Sequence, residues 1–144
     1  MEFKVLKNPE KILTVLNEFA ECLGALRQGI SFRKKMADKF SLNAEFVLVK
    51  KNGENIGFIA YYANNIVEKT VYISMITVSI LYRRQGIGEL LLKKSISDAI
   101  QRKMKFIKLE VRKDNLNAIC FYEKNGFIVE KEASENSLYM KKTL

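Results

Sequence analysis

The stretch Leu81-Tyr82-Arg83-Arg84-Gln85-Gly86-Ile87-Gly88-Glu89 sets two arginines and a glutamine before two glycines, and an apolar helical pattern follows at once. The first turn of a helix carries N–H groups without partners and the positive end of the helix dipole. Glycines let that backbone approach an oxygen atom closely, and Arg83 and Arg84 add charge. The natural guest of such a loop is a phosphate or pyrophosphate. The plainer alternative is a helix start that only needed a flexible turn; the two arginines favour the anion. A triphosphate-binding loop would need G-x-x-x-x-G-K-[ST], and no Lys-Ser/Thr pair follows the glycines. A dinucleotide fingerprint would need a third glycine where Leu91 stands, although Glu110 falls about twenty residues on, where a ribose-binding acid would sit.

The chain has no histidine. That removes Ser-His-Asp and Cys-His catalysis and argues against a conventional zinc site, so no metal is expected. Any acid or base must be Glu, Asp, Tyr, Lys, Cys or a backbone group. Lys and Arg number 25 against 16 Asp and Glu, a formal charge of +9. Such an excess suits nucleic acid, a phosphate-bearing small molecule or an acidic surface, unless most of the lysines are simply solvated. Cys22 and Cys120, with no apolar leader at "MEFKVLKNPE", read as free thiols of a reducing, cytoplasmic compartment. Each thiol reads first as a small buried hydrophobe. No apolar run approaches a membrane span. The basic "FRKKMADKF" has no aromatic stacking pattern beside it, so it reads as a solvated helix and nucleic acid is not expected.

Elements must hold the glycine loop in place. "EFKVLK" alternates as a first strand. Asn8-Pro9 caps a helix over "EKILTVLNEFAECLGAL", and Ser31 is expected to cap a second, short helix. Two β-rich runs flank "KNGE", a hairpin signal. "VYISMITVSIL" is apolar on both faces and predicts a central strand leading into the loop. "GELLLKKSISDAIQRK" is an amphipathic helix with Leu91, Leu92, Ile96, Ala99 and Ile100 on its stripe. "KFIKLEVRK" is a strand that turns Ile107, Leu109 and Val111 one way and Phe106, Lys108 and Glu110 the other. "NLNAICFYEKNGF" is a capped helix that stops at Asn125-Gly126. "FIVEKE" and "SLYMKK" form a last antiparallel pair. The order β α α β β β α β α β β predicts an α/β fold of the α+β kind, a mixed, mostly antiparallel central sheet flanked by helices, in one domain over 1–144.

Two segments together carry a family likeness. Arg83-x-x-Gly86-x-Gly88 resembles the R/Q-x-x-G-x-G/A signature of the GNAT acetyltransferase superfamily. "LEVRKDNLNAICFYEKNGF" (109–127) resembles that superfamily's second segment, a strand, then N-x-x-A, a Tyr and a terminal Gly-Phe. It is similar in particular to ribosomal-protein-alanine acetyltransferases. The likeness covers about residues 71 to 130 and fades over 1 to 60.

The resemblance implies an acetyl-CoA-dependent N-acetyltransferase acting on a primary amine. The pantetheine arm of acetyl-CoA would pair with the backbone of Ile76, Thr77 and Val78. The pyrophosphate would lie on the loop formed by Arg83, Arg84, Gln85, Gly86, Ile87, Gly88 and Glu89. Asn115 and Ala118 would hold the cofactor arm, and Tyr122 would protonate the leaving thiolate. Its ordinary alternative is a core aromatic. Many relatives carry a Glu on the strand before the glycine loop; "YISMITV" has Ser74 and no acid. Glu110 is therefore the candidate base, against a surface glutamate paired with Lys108 or Arg112, or a water chain to backbone carbonyls.

Two other readings stand beside this one. A non-catalytic acyl-CoA-binding module would share the fold but lack the Tyr or the glycine loop, and both are present. A basic nucleic-acid-binding domain would show steep salt dependence. The acceptor is not named by the sequence: a protein N-terminus, a polyamine, an amino sugar and an antibiotic all remain open. The last strands offer a surface through which a homodimer could form.

Overall fold

The computed structural model describes residues 1–144. β1 (Glu2–Leu6) leads into α1 (Pro9–Glu18), whose first turn is capped by Asn8 Oδ1 accepting from the Glu10 and Lys11 N–H groups. α1 is shorter than its sequence pattern suggests. It closes at Phe19, and the chain continues through a 3-10 turn over Gly24–Gln28. The pattern persists past Glu18 because Phe19 and Leu26 are still buried, not because the helix continues. α2 (Ile30–Asn43) starts at Gly29, with φ of 118° and no side-chain cap, so Ser31 lies inside the helix rather than capping it.

β2 (Glu45–Lys51) and β3 (Glu54–Asn65) form the expected hairpin. Asn52 and Gly53 both take positive φ (52° and 80°), as a tight turn between twisted strands requires. β4 (Thr70–Val78), α3 (Ile87–Gln101), β5 (Phe106–Arg112), α4 (Leu116–Lys124), β6 (Ile128–Ser134) and β7 (Ser137–Thr143) complete the order. One sheet holds all seven strands in the sequence β1-β2-β3-β4-β5-β7-β6. β4 is the central strand, and its pairing with β5 is the one parallel pairing; β7 inserts between β5 and β6.

Strand alternation divides the core between the two sheet faces. On one face, Val71, Ile73, Ile107, Leu109 and Val111 pack with Ile87, Leu91, Leu92 and Ala99 of α3 and Tyr122 of α4. On the other, Phe46, Phe58 and Met75 pack with Ile12, Leu16, Phe19, Ala37 and Phe40. Ile100 is 57% exposed, contrary to its place on the predicted α3 stripe; Ser95 lies under the helix instead and donates to Leu92 O. The buried row is Ile87, Leu91, Ser95 and Ala99, and Ile100 turns just past its edge.

Candidate active site

The site begins where two central strands part. β4 and β5 pair from Thr70↔Phe106 only as far as Ile73↔Leu109. β4 continues to Val78 and β5 to Arg112 without pairing to each other, so a gap opens in the middle of the sheet. Two features widen it. The register of β4 on β3 slips between Ile73 and Met75, leaving Ser74 without a partner. Beyond Leu109, β5 stays with β7 through Arg112↔Ser137 and is held away from β4.

The slip also sets which backbone groups face the gap. Ser79 N–H donates to Ile56 O at 2.8 Å, so Gly57 and Val78 are a non-hydrogen-bonded pair. Alternation then turns the N–H and C=O of Ile76 and Val78 away from β3 and toward the gap, while those of Thr77 turn to Phe58. Of the three residues expected to offer backbone here, Ile76 and Val78 do so.

A cleft of about 860 Å³ runs from this gap to the glycine loop. It is lined by Ile76, Thr77, Val78, Arg83, Arg84, Gly86, Ile87, Gly88, Glu89, Asn115, Ala118 and Tyr122. Gln85 alone among the expected binding residues is not on its wall. Arg84 (φ 63°) and Gly86 (φ 79°) both sit in the left-handed region, which bends the loop into the start of α3. Gly86 is the N-cap and carries no side chain, so no side chain caps the first-turn N–H groups of Ile87, Gly88 and Glu89. A Cβ on Gly86 would meet open space; its glycine serves conformation. A Cβ on Gly88 would stand 3.5 Å from Phe121 Cζ and 3.8 Å from Val78 Cγ2, at the neck of the cleft.

The two arginines divide their work. Arg83 donates from Nε to Val78 O and from Nη2 to Cys22 O, both at 3.2 Å, and so ties the segment after α1 to the end of β4. Arg84 makes no ion pair with the protein, and neither does Lys124 on the same wall. Arg83 has no ion pair either, but Arg84 and Lys124 are the cleft cations whose side chains make no hydrogen bond to the protein. Both cysteines line the cleft as well: Cys120 is exposed and Cys22 half-buried, so neither is the buried hydrophobe expected. The signals for Lys124, Phe121 and the Cys22–Gly24 segment were too slight to read in sequence, since only folding brings them to the loop.

Asn115 Oδ1 caps α4 by accepting from Ala118 N–H at 3.2 Å, which leaves its amide nitrogen unused. Tyr122 is 9% exposed; it belongs to the core and also lines the cleft. Burial pushes its phenol up to about 12. The group is a proton donor that does not ionise near neutral pH.

Glu110 stands on the other face. Leu109 and Val111 pack toward α3 and α4, so Glu110 projects away from them. It does not pair with Lys108, which is bound to Glu130 at 2.8 Å, or with Arg112, which is bound to Asp114 at 3.1 Å. Its Oε2 accepts from Ser137 Oγ at 2.6 Å. Its charge, after burial, helps to hold the Tyr72 phenol up at about 12. Glu110 and Tyr122 thus lie on opposite faces of one sheet, with the gap between them.

The family model for the acetyltransferase (GNAT) family matches residues 12–127. A GNAT-family protein from Desulfovibrio desulfuricans superposes with a TM-score of 0.84 at 17% identity, covering 99% of this chain and 98% of that one. A ribosomal-protein-alanine N-acetyltransferase from Brucella melitensis gives 0.75 at 19% identity, with both chains covered fully. PaiA N-acetyltransferase from Thermoplasma acidophilum, in complex with coenzyme A, gives 0.75 at 20%, again over the whole of both chains. At these identities the structural likeness is one of fold. No helix of the chain is long and apolar enough to cross a membrane.

Proposed function

The chain belongs to the GNAT acetyltransferase family, and from that premise we propose that it moves an acetyl group from acetyl-CoA to a primary amine by direct attack in a ternary complex. The observation that carries this reading is the gap beyond Ile73 and Leu109. It gives a cleft on one face and an open surface on the other access to the same point of the sheet.

The cleft suits acetyl-CoA on its own chemistry. The N–H and C=O of Ile76 and the N–H of Val78, turned toward the gap, match an extended amide-bearing arm such as pantetheine; the Val78 carbonyl is taken by Arg83. The uncapped first turn of α3, with Arg84 and Lys124 beside it, matches a pyrophosphate. Asn115, with its amide nitrogen free, and the small Ala118 border the arm.

Amine attack on a thioester builds negative charge on the carbonyl oxygen and then on the departing sulfur. The Tyr122 phenol holds the proton for the sulfur: it lines the cleft, makes no hydrogen bond within the protein, and keeps its proton at neutral pH. Free alkyl amines have pKa values of about 10.4 and α-amines about 8, so the acceptor must shed a proton to react. Glu110 takes it, directly or through one water, from the face opposite Tyr122. Ser137 holds the carboxylate by one oxygen and leaves the other free.

The test is turnover of acetyl-CoA against a mixed amine panel, with thiol release and product mass both followed. A mass gain of one acetyl group on an amine, with equimolar thiol, supports the reading. No acetylated amine, together with no stabilisation of the protein by CoA, overturns it.

A further inference from the structure

The open face beside Glu110 is not featureless. A second cavity, of about 460 Å³, lies there between the β3–β4 hairpin and β6, lined by Tyr62, Asn64, Asn65, Glu68, Thr70, Tyr72, Lys108, Lys131 and Tyr139. It adjoins Glu110: Tyr139 is the register partner of Glu110 on β7, and the Tyr72 phenol senses the Glu110 charge. The Tyr62 hydroxyl is buried and has no hydrogen-bond partner within the protein. A buried hydroxyl left in that state is costly unless a guest completes it.

Resting on the acetyl-transfer reading above, we propose that this cavity is the distal part of the acceptor site. Its guest is the amino-terminal segment of a peptide, neutral or acidic beyond its first residue. Two observations select that class. The first is charge. Lys108 Nζ already sits 4.3 Å from the Tyr139 ring and Lys39 Nζ 5.5 Å from the Tyr62 ring. Lys131 lines the wall without an ion pair, and Glu68 is the cavity's single carboxylate. A polyamine or a polycationic amino sugar would bring more positive charge to aromatic faces that lysines already occupy. Asn65 and Thr70 are spent on Glu68, so what remains on offer is the Tyr62 phenol, the Asn64 amide and the Lys131 ammonium, a set that suits main-chain carbonyls and an acidic side chain.

The second is reach. From Ser74, at the gap, back to Thr70 is four strand residues, and from Glu110 to Lys108 is two. At about 3.3 Å per residue these span roughly 7–13 Å, the length of two to four extended peptide residues. An amine at Glu110 would therefore place the third or fourth residue beside Tyr62 and Lys131.

The experiment compares alaninamide, the peptide amide Ala-Ala-Asp-Ala, its Ala-Ala-Lys-Ala counterpart, spermidine and glucosamine at saturating acetyl-CoA. The acidic tetrapeptide is expected to exceed alaninamide by about tenfold or more in kcat/KM, chiefly through KM, and to exceed the lysine peptide. Tyr62→Phe and Lys131→Glu are each expected to lower kcat/KM for the acidic tetrapeptide about 2- to 10-fold, leaving alaninamide turnover unchanged and the melting temperature no lower than wild type. Lys131→Glu should also raise the rate with the lysine peptide. Spermidine or glucosamine as the best acceptor, or equal loss on alaninamide in both variants, overturns the proposal while leaving acetyl transfer intact. If no amine is acetylated and CoA does not stabilise the protein, the acetyl-transfer reading falls and this one with it.

Discussion

Glu110 and Tyr122 stand on opposite faces of the central sheet, and the gap that opens past Ile73↔Leu109 is the opening between them. A proton acceptor on one side and a proton donor on the other is the arrangement that a transfer between two substrates needs. In the acetyl transfer we propose, one substrate enters from each face and neither blocks the other.

Tyr122→Phe removes one hydroxyl and little volume. General acid catalysis contributes about 10²–10⁴-fold, and we expect kcat to fall within that range with CoA affinity kept. Because burial raises the folded phenol to about 12, it stays protonated through neutral pH. The wild-type rate should therefore show no basic limb from Tyr122 between about pH 6 and 9. Wild-type kcat in the variant, measured where chemistry limits the rate, would leave Tyr122 a core residue only.

Glu110→Gln keeps the shape and the Ser137 contact but removes the basic oxygen. We expect kcat to drop and then to recover as pH rises toward the amine pKa, about 8 for an α-amine. Ser137→Ala, which frees the carboxylate and the Ser134 hydroxyl but keeps the basic oxygen, should lose less. An unchanged rate and pH profile in Glu110→Gln would send the proton out through water and backbone.

At Gly88, Ala and Val should part company. A single Cβ finds ordinary contact with Phe121 and Val78. The two further methyls of Val have nowhere to go but into the neck of the cleft. We expect Gly88→Val to weaken CoA about tenfold or more, a loss of about 1.4 kcal/mol, with the fold intact by circular dichroism. Calorimetry finding equal affinities in Gly88→Val and wild type would remove the phosphate loop from this account.

Arg84→Ala and Lys124→Ala should each weaken CoA and flatten the dependence of binding on salt, because both act as charges near a phosphate. Arg83→Ala should weaken CoA but flatten the salt slope less than the other two, since its guanidinium keeps its charge while the Val78 and Cys22 carbonyls hold it in place. Identical salt slopes in all three variants would contradict this division.

Gly57 belongs to β3, outside the cleft, yet a Cβ there would come within 2.9 Å of Thr77 O and 3.3 Å of Leu91 Cδ1. Backbone cannot swing aside as a side chain can. Gly57→Ala is expected to cost about 1–3 kcal/mol, read as a fall of about 3 °C or more in melting temperature. A melting temperature equal to wild type would mean that α3 and β4 shift freely at this point.

Most of the elements and the position of the glycine loop are legible along the chain. Periodicity and punctuation are local: the apolar spacing of α3, the Asn52-Gly53 turn and the Asn8 and Asn115 caps each act within a few residues, so they can be read along the chain. The side on which Glu110 projects was legible for the same reason, from the alternation of its neighbours. The early end of α1 at Phe19 was not, because Phe19 stays buried beside Phe58 after the helix has stopped. Tertiary structure alone decided where β4 and β5 part, that Thr77 turns its backbone to β3, that Arg83 is a tether and Arg84 a free charge, and that Lys124 joins the cleft. Each depends on strand register or on contacts between segments distant in sequence. The pairing of Glu110 with Ser137 rather than with Lys108 or Arg112 has the same origin. β7 inserts beside β5 and brings a hydroxyl from 27 residues away, while Glu130 and Asp114 occupy the two cations.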